Sequence, residues 1–188
     1  IWQELFASVG VSAEYVENAE LDGLQGGRIF GYGVEDNWWS RAGVPDAMPA
    51  GEPGGPDSEI FFDFGEDWGL HSGECGSVCH VACSCGRFLE IGNSVFMSFK
   101  KGADGGFAAL QNKNIDFGGG VERLAAAAND NPDIFMTPVF APIVAVLESV
   151  SGLQYGGQIS VTRAVRIISD HLRAATMLIA DRVVPSNK

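Results

Sequence analysis

No stretch of the chain approaches the ~18 to 20 uninterrupted apolar residues that a membrane-spanning helix needs, so none is expected. The opening Ile1-Trp2-Gln3-Glu4 has no basic n-region and no Met, so no secretory signal is expected at this end. It reads as the inside of a helix, and the chain is expected to be a piece of a longer one. Positive charge is scarce: 12 Lys and Arg against 24 Asp and Glu give a net charge of −12. That argues against a broad nucleic-acid-binding surface. What positive charge there is gathers late, at Arg163, Arg166, Arg173, Arg182 and Lys188 against Asp170 and Asp181. Any nucleic-acid footprint belongs there, although a solvated helix face accounts for the same residues. Internal repeats, low-complexity tracts and H-x3-H pairs are all absent, and His171 reads as an ordinary helix histidine.

The 46% apolar content is ample for a core in one or at most two domains. The order of elements predicts an α+β fold, an antiparallel sheet flanked by helices and followed by a C-terminal helical segment. Ile1 to Val9 has helical periodicity and Gly10 is placed to stop it. Ser12 followed by Glu14 predicts a short helix to about Asn18. Leu21 to Gly27 is turn-rich, and Arg28 to Gly33 reads as a short strand. Arg41 to Pro56 carries Pro45, Pro49, Pro53, Pro56 and four glycines, which predicts a loop without regular structure. Ser58 to Phe64 is apolar on both faces and reads as a central strand. Gly86 to Lys101 is the longest strand signal; strict alternation puts Glu90 and Gly92 on one face, Asn93 and Val95 on the other. Asn93 is the polar member of an apolar face, and a buried amide left unbonded costs ~1 to 3 kcal/mol, so it needs backbone or ligand as a partner. Gly102 to Gly106 turns the chain into a strand running toward Asn114, which completes a meander. Asn129 to Pro132 ends the helix that follows. Thr137-Pro138 is read as the cap of the next helix, with Val139, Ile143, Val146 and Leu147 as its stripe. Gly152 to Gly157 is a linker, and Thr162 opens a long helix with Val165, Ile168, Leu172, Ala175, Leu178 and Ile179 on its apolar side.

All four cysteines, Cys75, Cys79, Cys83 and Cys85, fall in Gly73 to Gly86, with His71 and His80 nearby. Without a secretory signal, such clustering fits a reduced, cytoplasmic setting and a metal better than disulfides. Zinc takes four thiolate or imidazole ligands, so the four cysteines are the candidate ligands. The spacing C-x3-C-x3-C-x-C is tight, and a cysteine-rich loop without metal is the competing reading.

The most informative stretch is Asn114 to Leu124, NIDFGGGVERL. A strand delivers the Asp116 carboxylate, then Gly118, Gly119 and Gly120 allow close approach of backbone and ligand. The helix that follows carries Arg123 in its first turn, where free N–H groups and a guanidinium together suit phosphate. The plainer alternative is a glycine-rich turn before a core helix with a surface arginine.

This stretch resembles motif 3 of class II aminoacyl-tRNA synthetases in the form N-I-D-T-G-M-G-L-E-R-L found in alanyl-tRNA synthetases. Four more blocks agree in the family's order: Asp36 to Ser40 (DNWWS), Gly54 to Asp63 (GGPDSEIFFD), Gly86 to Phe99 (GRFLEIGNSVFMSF) and Arg166 to Asn187. The resemblance implies residues 1–157 as a partial aminoacylation core and 158–188 as the start of a helical tRNA-recognition region. It implies ATP-dependent activation of alanine to alanyl-adenylate and transfer to tRNA(Ala), with ATP and Mg2+ required. Asp116 would pair with the alanine ammonium, and Asn93 would hold the substrate's polar end. Val95, Trp39 and Gly118 would shape the pocket. Arg123 and Gly120 would meet ATP, and Glu90 would hold magnesium unless it serves only a cross-strand ion pair. Three departures stand out: Asp57 where the family has a second Cys, Gly92 where many relatives have Trp, and Phe117 in place of Thr. Gly92 removes a large side chain and puts that wall of the site in doubt. No counterpart of motif 1, or of motif 2 with its α-phosphate arginine, appears in these residues. The isolated chain is therefore expected to be inactive, with the missing part of the synthetase as its partner. The alternative is a synthetase-like fragment or paralogue that binds a ligand, zinc or a protein without catalysis.

Overall fold

The computed structural model describes residues 1–72 and 75–186. Gly73, at the head of the cysteine segment, Asn187, at the end of the block from Arg166, and Lys188, the last of the late positive charges, lie outside the described residues. Two compact units are formed, Ile1–Pro132 and Asp133–Lys188.

The first unit is built on a four-stranded antiparallel meander of strands β3 (Trp38–Ser40), β4 (Pro53–Asp63), β5 (Phe88–Lys101) and β6 (Phe107–Gly119), paired in that order. Helix α3 (Val121–Ala128) follows β6 directly, with Gly120 as its N-cap. Before the sheet come α1 (Trp2–Ser8), β1 (Tyr15–Val16), α2 (Ala19–Asp22) and β2 (Ile29–Phe30). The helix expected from Ser12 to Asn18 is instead a strand, β1, parallel to β2. The Glu14 carbonyl accepts from the N–H groups of both Arg28 and Ile29, and the aromatic and β-branched pair Tyr15-Val16 suits extended backbone. The turn-rich stretch from Leu21 in turn contributes the end of α2.

Regular structure also enters the segment read as a loop. A 3₁₀ turn spans Pro45–Ala47, and β4 begins at Pro53, ten residues into strand territory before Asp63. Gly54 and Gly55 make this pairing achievable. A Cβ on Gly55 would stand 1.9 Å from the Phe96 carbonyl oxygen. Pro53 stands just before a register shift between Gly54 and Asp57 and Pro56 falls within it, where a missing N–H does least harm. Trp38 stacks on Phe99 at 6.1 Å and meets Phe107 edge-on at 5.4 Å, which pins the outer strand to the sheet.

The second unit holds a 3₁₀ turn (Ile134–Met136), α4 (Ala141–Ser151) and α5 (Ile159–Ala180). Thr137 does not cap α4: its hydroxyl donates to the Ile134 carbonyl, and Phe140 is the N-cap. Phe140 and Val144 are the residues this helix buries, whereas Val139 and Val146 of the expected stripe are exposed. Helix α5 begins a turn before Thr162, at Ile159, and Gly152 ends α4 in the left-handed conformation. Val165 and Ser169 are buried, while Ile168, Leu172, Leu178 and Ile179 remain exposed. Arg166 is held within this unit by Asp133 at 3.1 Å and the Tyr155 hydroxyl at 2.7 Å. Burial, together with that carboxylate, pushes the Tyr155 phenol up to about 12.

Candidate functional site

Strand register decides which side chains meet. Asn93 of β5 opposes Glu59 of β4 on one side and Gly118 of β6 on the other; Val95 opposes Asp57 and Asp116. Opposed residues share a face, as do residues two apart. One face therefore gathers Asp57, Glu59, Asn93, Val95, Asp116 and Gly118. Trp39 pairs with Gly55, within the register shift that precedes Asp57. Asp116 is exposed and takes no hydrogen-bond or ion-pair partner among the described residues. A Cβ at Gly118 would meet nothing within 4 Å, so the space above that glycine is open. Val95 is 8% exposed and forms the floor beside it.

Strict alternation misplaces Glu90. Ile60 opposes Gly92 while Phe61 opposes Glu90, so β5 carries one extra residue, Ile91, at this point. The bulge moves Glu90 onto the Asn93 face. There Arg123 Nη1 donates to the Glu90 carboxylate at 2.7 Å and to the Glu90 carbonyl at 3.1 Å. Arg123 projects from the first turn of α3, whose N-terminus has no side-chain cap. Free backbone N–H groups thus sit beside the guanidinium, the arrangement that suits an anion.

The partner of Asn93 is neither backbone nor ligand but a pair of carboxylates. Its Nδ2 donates to Asp57 Oδ2 at 3.0 Å and to Glu59 Oε1 at 3.2 Å. The Asn93 Oδ1 and Asp57 Oδ1 atoms are buried with no protein partner. Burial, and then the nearby carboxylates of Glu90, Asp57 and Asp36, push the Glu59 carboxyl up to about 7, with Arg123 opposing. Asp57 was noted in the sequence only as standing where the family has a second Cys, and Glu59 was not singled out. The signal was present, as two acids spaced by two at the start of the strand read from Ser58, but only register shows that they converge on Asn93.

Gly92 lies on the reverse face, opposite Gly119 and Ile60. A Cβ there would stand 2.9 Å from Cζ of the Phe117 ring. Phe117 thus occupies the space that a side chain at Gly92 would need, on the face away from Asn93.

A second cluster lies between β4 and β5. His71, Cys79, Cys83 and Cys85 bring one ligand atom each to within 4.8 Å of one another. The grouping takes in His71 and not Cys75, whose thiol contacts the Ser72 hydroxyl at 3.9 Å and also neighbours Cys83. His80 is engaged elsewhere, by the Tyr32 hydroxyl at 3.1 Å. Just beyond the cluster, Arg87 forks onto both oxygens of Asp63, at 2.7 and 2.9 Å, and reaches Glu66 at 3.1 Å. Although partial burial works against it, the guanidinium holds the Asp63 carboxyl below its ordinary range.

The family model for class II tRNA synthetases (A) matches residues 12–188. The chain belongs to that family. It is 40% identical over 169 residues to an alanine–tRNA ligase of Treponema denticola, covering 88% of this chain and 26% of the relative. It is 38% identical over 167 residues to one from Acetivibrio thermocellus, at 88% and 18%. A Natranaerobius thermophilus alanine–tRNA ligase is 36% identical over 188 residues, at 99% and 20%. This synthetase chain thus spans about a quarter or less of the curated relatives it matches. The match to the family model takes in all four strands of the sheet and the helices that follow. Among the described residues no helix is long and apolar enough to cross a membrane.

Proposed function

We propose that the chain supplies the alanine site and part of the ATP site of an alanine–tRNA ligase that works in the cytoplasm. The observation that carries this is the shared face of Asp116, Gly118, Asn93 and Val95, with Arg123 at its end. The unpaired Asp116 carboxylate takes the alanine ammonium. Gly118 leaves room for the substrate backbone, Val95 lies under its methyl, and Trp39 walls the site. Asn93 Oδ1, an acceptor with no protein partner, offers the substrate ammonium a second bond. A pocket fitted to one methyl discriminates weakly against glycine, since a methyl group is worth only ~1 to 3 kcal/mol.

Arg123 and the open end of α3 at Gly120 bind the ATP phosphates. In the alanine-activating step the substrate carboxylate attacks the α-phosphate and pyrophosphate leaves; alanine then passes to the terminal ribose of tRNA(Ala). The residues here contribute position and charge rather than proton transfer. Magnesium, when bound, would supply positive charge to the phosphates. Glu90 and the crowded Glu59 are the carboxylates that would hold it, and an oxygen-rich set suits that ion. Residues from 158 onward begin the tRNA-recognition region. Because Arg166 is already held by Asp133 and Tyr155, Arg163 and Arg182 are the candidates for RNA phosphate.

Calorimetry with alanine and with a non-hydrolysable alanyl-adenylate analogue tests the reading. Binding of the analogue that is lost in Asp116→Ala is expected; no heat from either ligand would sink it. The same chain has no counterpart of the α-phosphate arginine and forms no adenylate alone. Alanine-dependent pyrophosphate exchange by the purified chain would overturn that part.

A further inference from the structure

The excursion from Phe64 to Arg87 joins two central strands with little apolar burial of its own. Phe64, Val81 and Cys83 are its buried apolar residues among those described. A segment this poor in core needs another source of order. Within it the Cys79 and Cys85 sulfurs stand 3.9 Å apart, and Cys83 Sγ stands 3.6 Å from His71 Nδ1. Tetrahedral zinc, with Zn–S of about 2.3 Å and Zn–N of about 2.05 Å, has S···S edges of about 3.8 Å and S···N edges of about 3.6 Å. The two separations match those two edges. The backbone N–H of Arg87 also points at Cys85 Sγ, at 3.5 Å, as an outer partner for a thiolate.

We propose that His71, Cys79, Cys83 and Cys85 form a structural zinc centre of three thiolates and one imidazole that closes the β4–β5 excursion. All four positions are filled by protein, which leaves no open position for a reacting water. Cys75 lies outside this grouping and takes no ligand role in the proposal, although its thiol neighbours that of Cys83. His80 lies outside the grouping, with its Nδ1 engaged by the Tyr32 hydroxyl and its ring 6.0 Å from the Tyr32 ring. The centre sets the start of β5: Cys85 is followed by Gly86, the Asp63-bound Arg87, and then the strand that carries Glu90 and Asn93. This inference does not depend on the alanine site and holds or fails separately from it.

The test uses the full chain, folded with zinc and kept reduced and anaerobic. Metal analysis should find one zinc per chain, and zinc X-ray absorption should report three sulfurs and one nitrogen with no substitution needed. Cys75→Ser should keep both the stoichiometry and the tetrahedral spectrum of the cobalt(II) form. His71→Ala should weaken binding in chelator competition by more than about 100-fold, because even an outer partner costs roughly 10- to 100-fold. His71→Cys should restore affinity with stronger sulfur-to-cobalt charge transfer. A four-sulfur zinc shell, or loss of metal in Cys75→Ser with retention in His71→Ala, would overturn the ligand set. A chain that emerges metal-free from zinc-supplemented folding would overturn the centre itself.

Discussion

Arg123 and Glu90 are joined twice, through the carboxylate at 2.7 Å and through the backbone carbonyl at 3.1 Å, both from the same guanidinium nitrogen. The residue proposed to bind phosphate is thus held by the residue proposed to bind magnesium. Phosphate and Glu90 then compete for Arg123. Glu90→Gln should bind ATP several-fold more tightly than the parent when magnesium is absent, and less tightly when it is present. Titrations with and without the metal check this; a change of the same sign in both would contradict it. The pair itself is worth under about 1 kcal/mol of stability, since both groups are partly solvated.

Glu59 gives stability a pH dependence of uncommon sign. Its folded-state pKa, about 7, lies above its ordinary value of 4.5, so the folded state binds the extra proton between them. Its contribution is complete below about pH 4.5 and is lost as pH rises through about 7. Glu59→Gln keeps an acceptor for Asn93 and removes the charge. It should stabilise the chain at pH 8 by on the order of 1 kcal/mol, after allowance for solvent screening, with little effect at pH 4.5. Urea unfolding at the two pH values measures the difference.

Gly55 is the position least able to change. A Cβ there would strike the Phe96 carbonyl at 1.9 Å, and backbone of a central hairpin cannot swing aside. Gly55→Ala should cost at least about 3 kcal/mol, or prevent soluble expression. A denaturation midpoint equal to that of the parent would show that the two strands can separate cheaply.

Gly92 and Phe117 should behave as a coupled pair. Gly92→Trp drives a large side chain into the Phe117 ring and should cost about 1 to 3 kcal/mol. In a Phe117→Thr background the same change should be nearly neutral, a coupling of roughly 1 to 3 kcal/mol in a double-mutant cycle. Additive costs would mean that the two residues do not share the space.

Arg87 is 10% exposed and forks onto Asp63, which is 42% exposed. Arg87→Ala should cost about 2 kcal/mol, between a surface and a buried pair, and Arg87→Lys should recover little because a point charge cannot reproduce the fork. Asp63 contributes above its ordinary carboxylate range and loses that contribution as pH falls through its lowered pKa, the opposite sense to Glu59. In Arg87→Ala the acid side of the stability profile should flatten while the Glu59 slope persists.

The amino-acid sequence by itself determined the family, the α+β class, the central place of β4, and the strand–glycine–helix unit that carries Asp116 and Arg123. Those features are local: alternation, glycine runs and the first turn of a helix need no distant partner to be read. Tertiary structure alone decided the rest. The Ile91 bulge brings Glu90 to the Asn93 face, Asp57 and Glu59 supply the bonds Asn93 needed, and His71 stands with three cysteines where Cys75 was expected. Each of these depends on which residues oppose one another across strands or a long excursion. That register is set by packing such as Gly55 against Phe96, which no single stretch of the chain encodes.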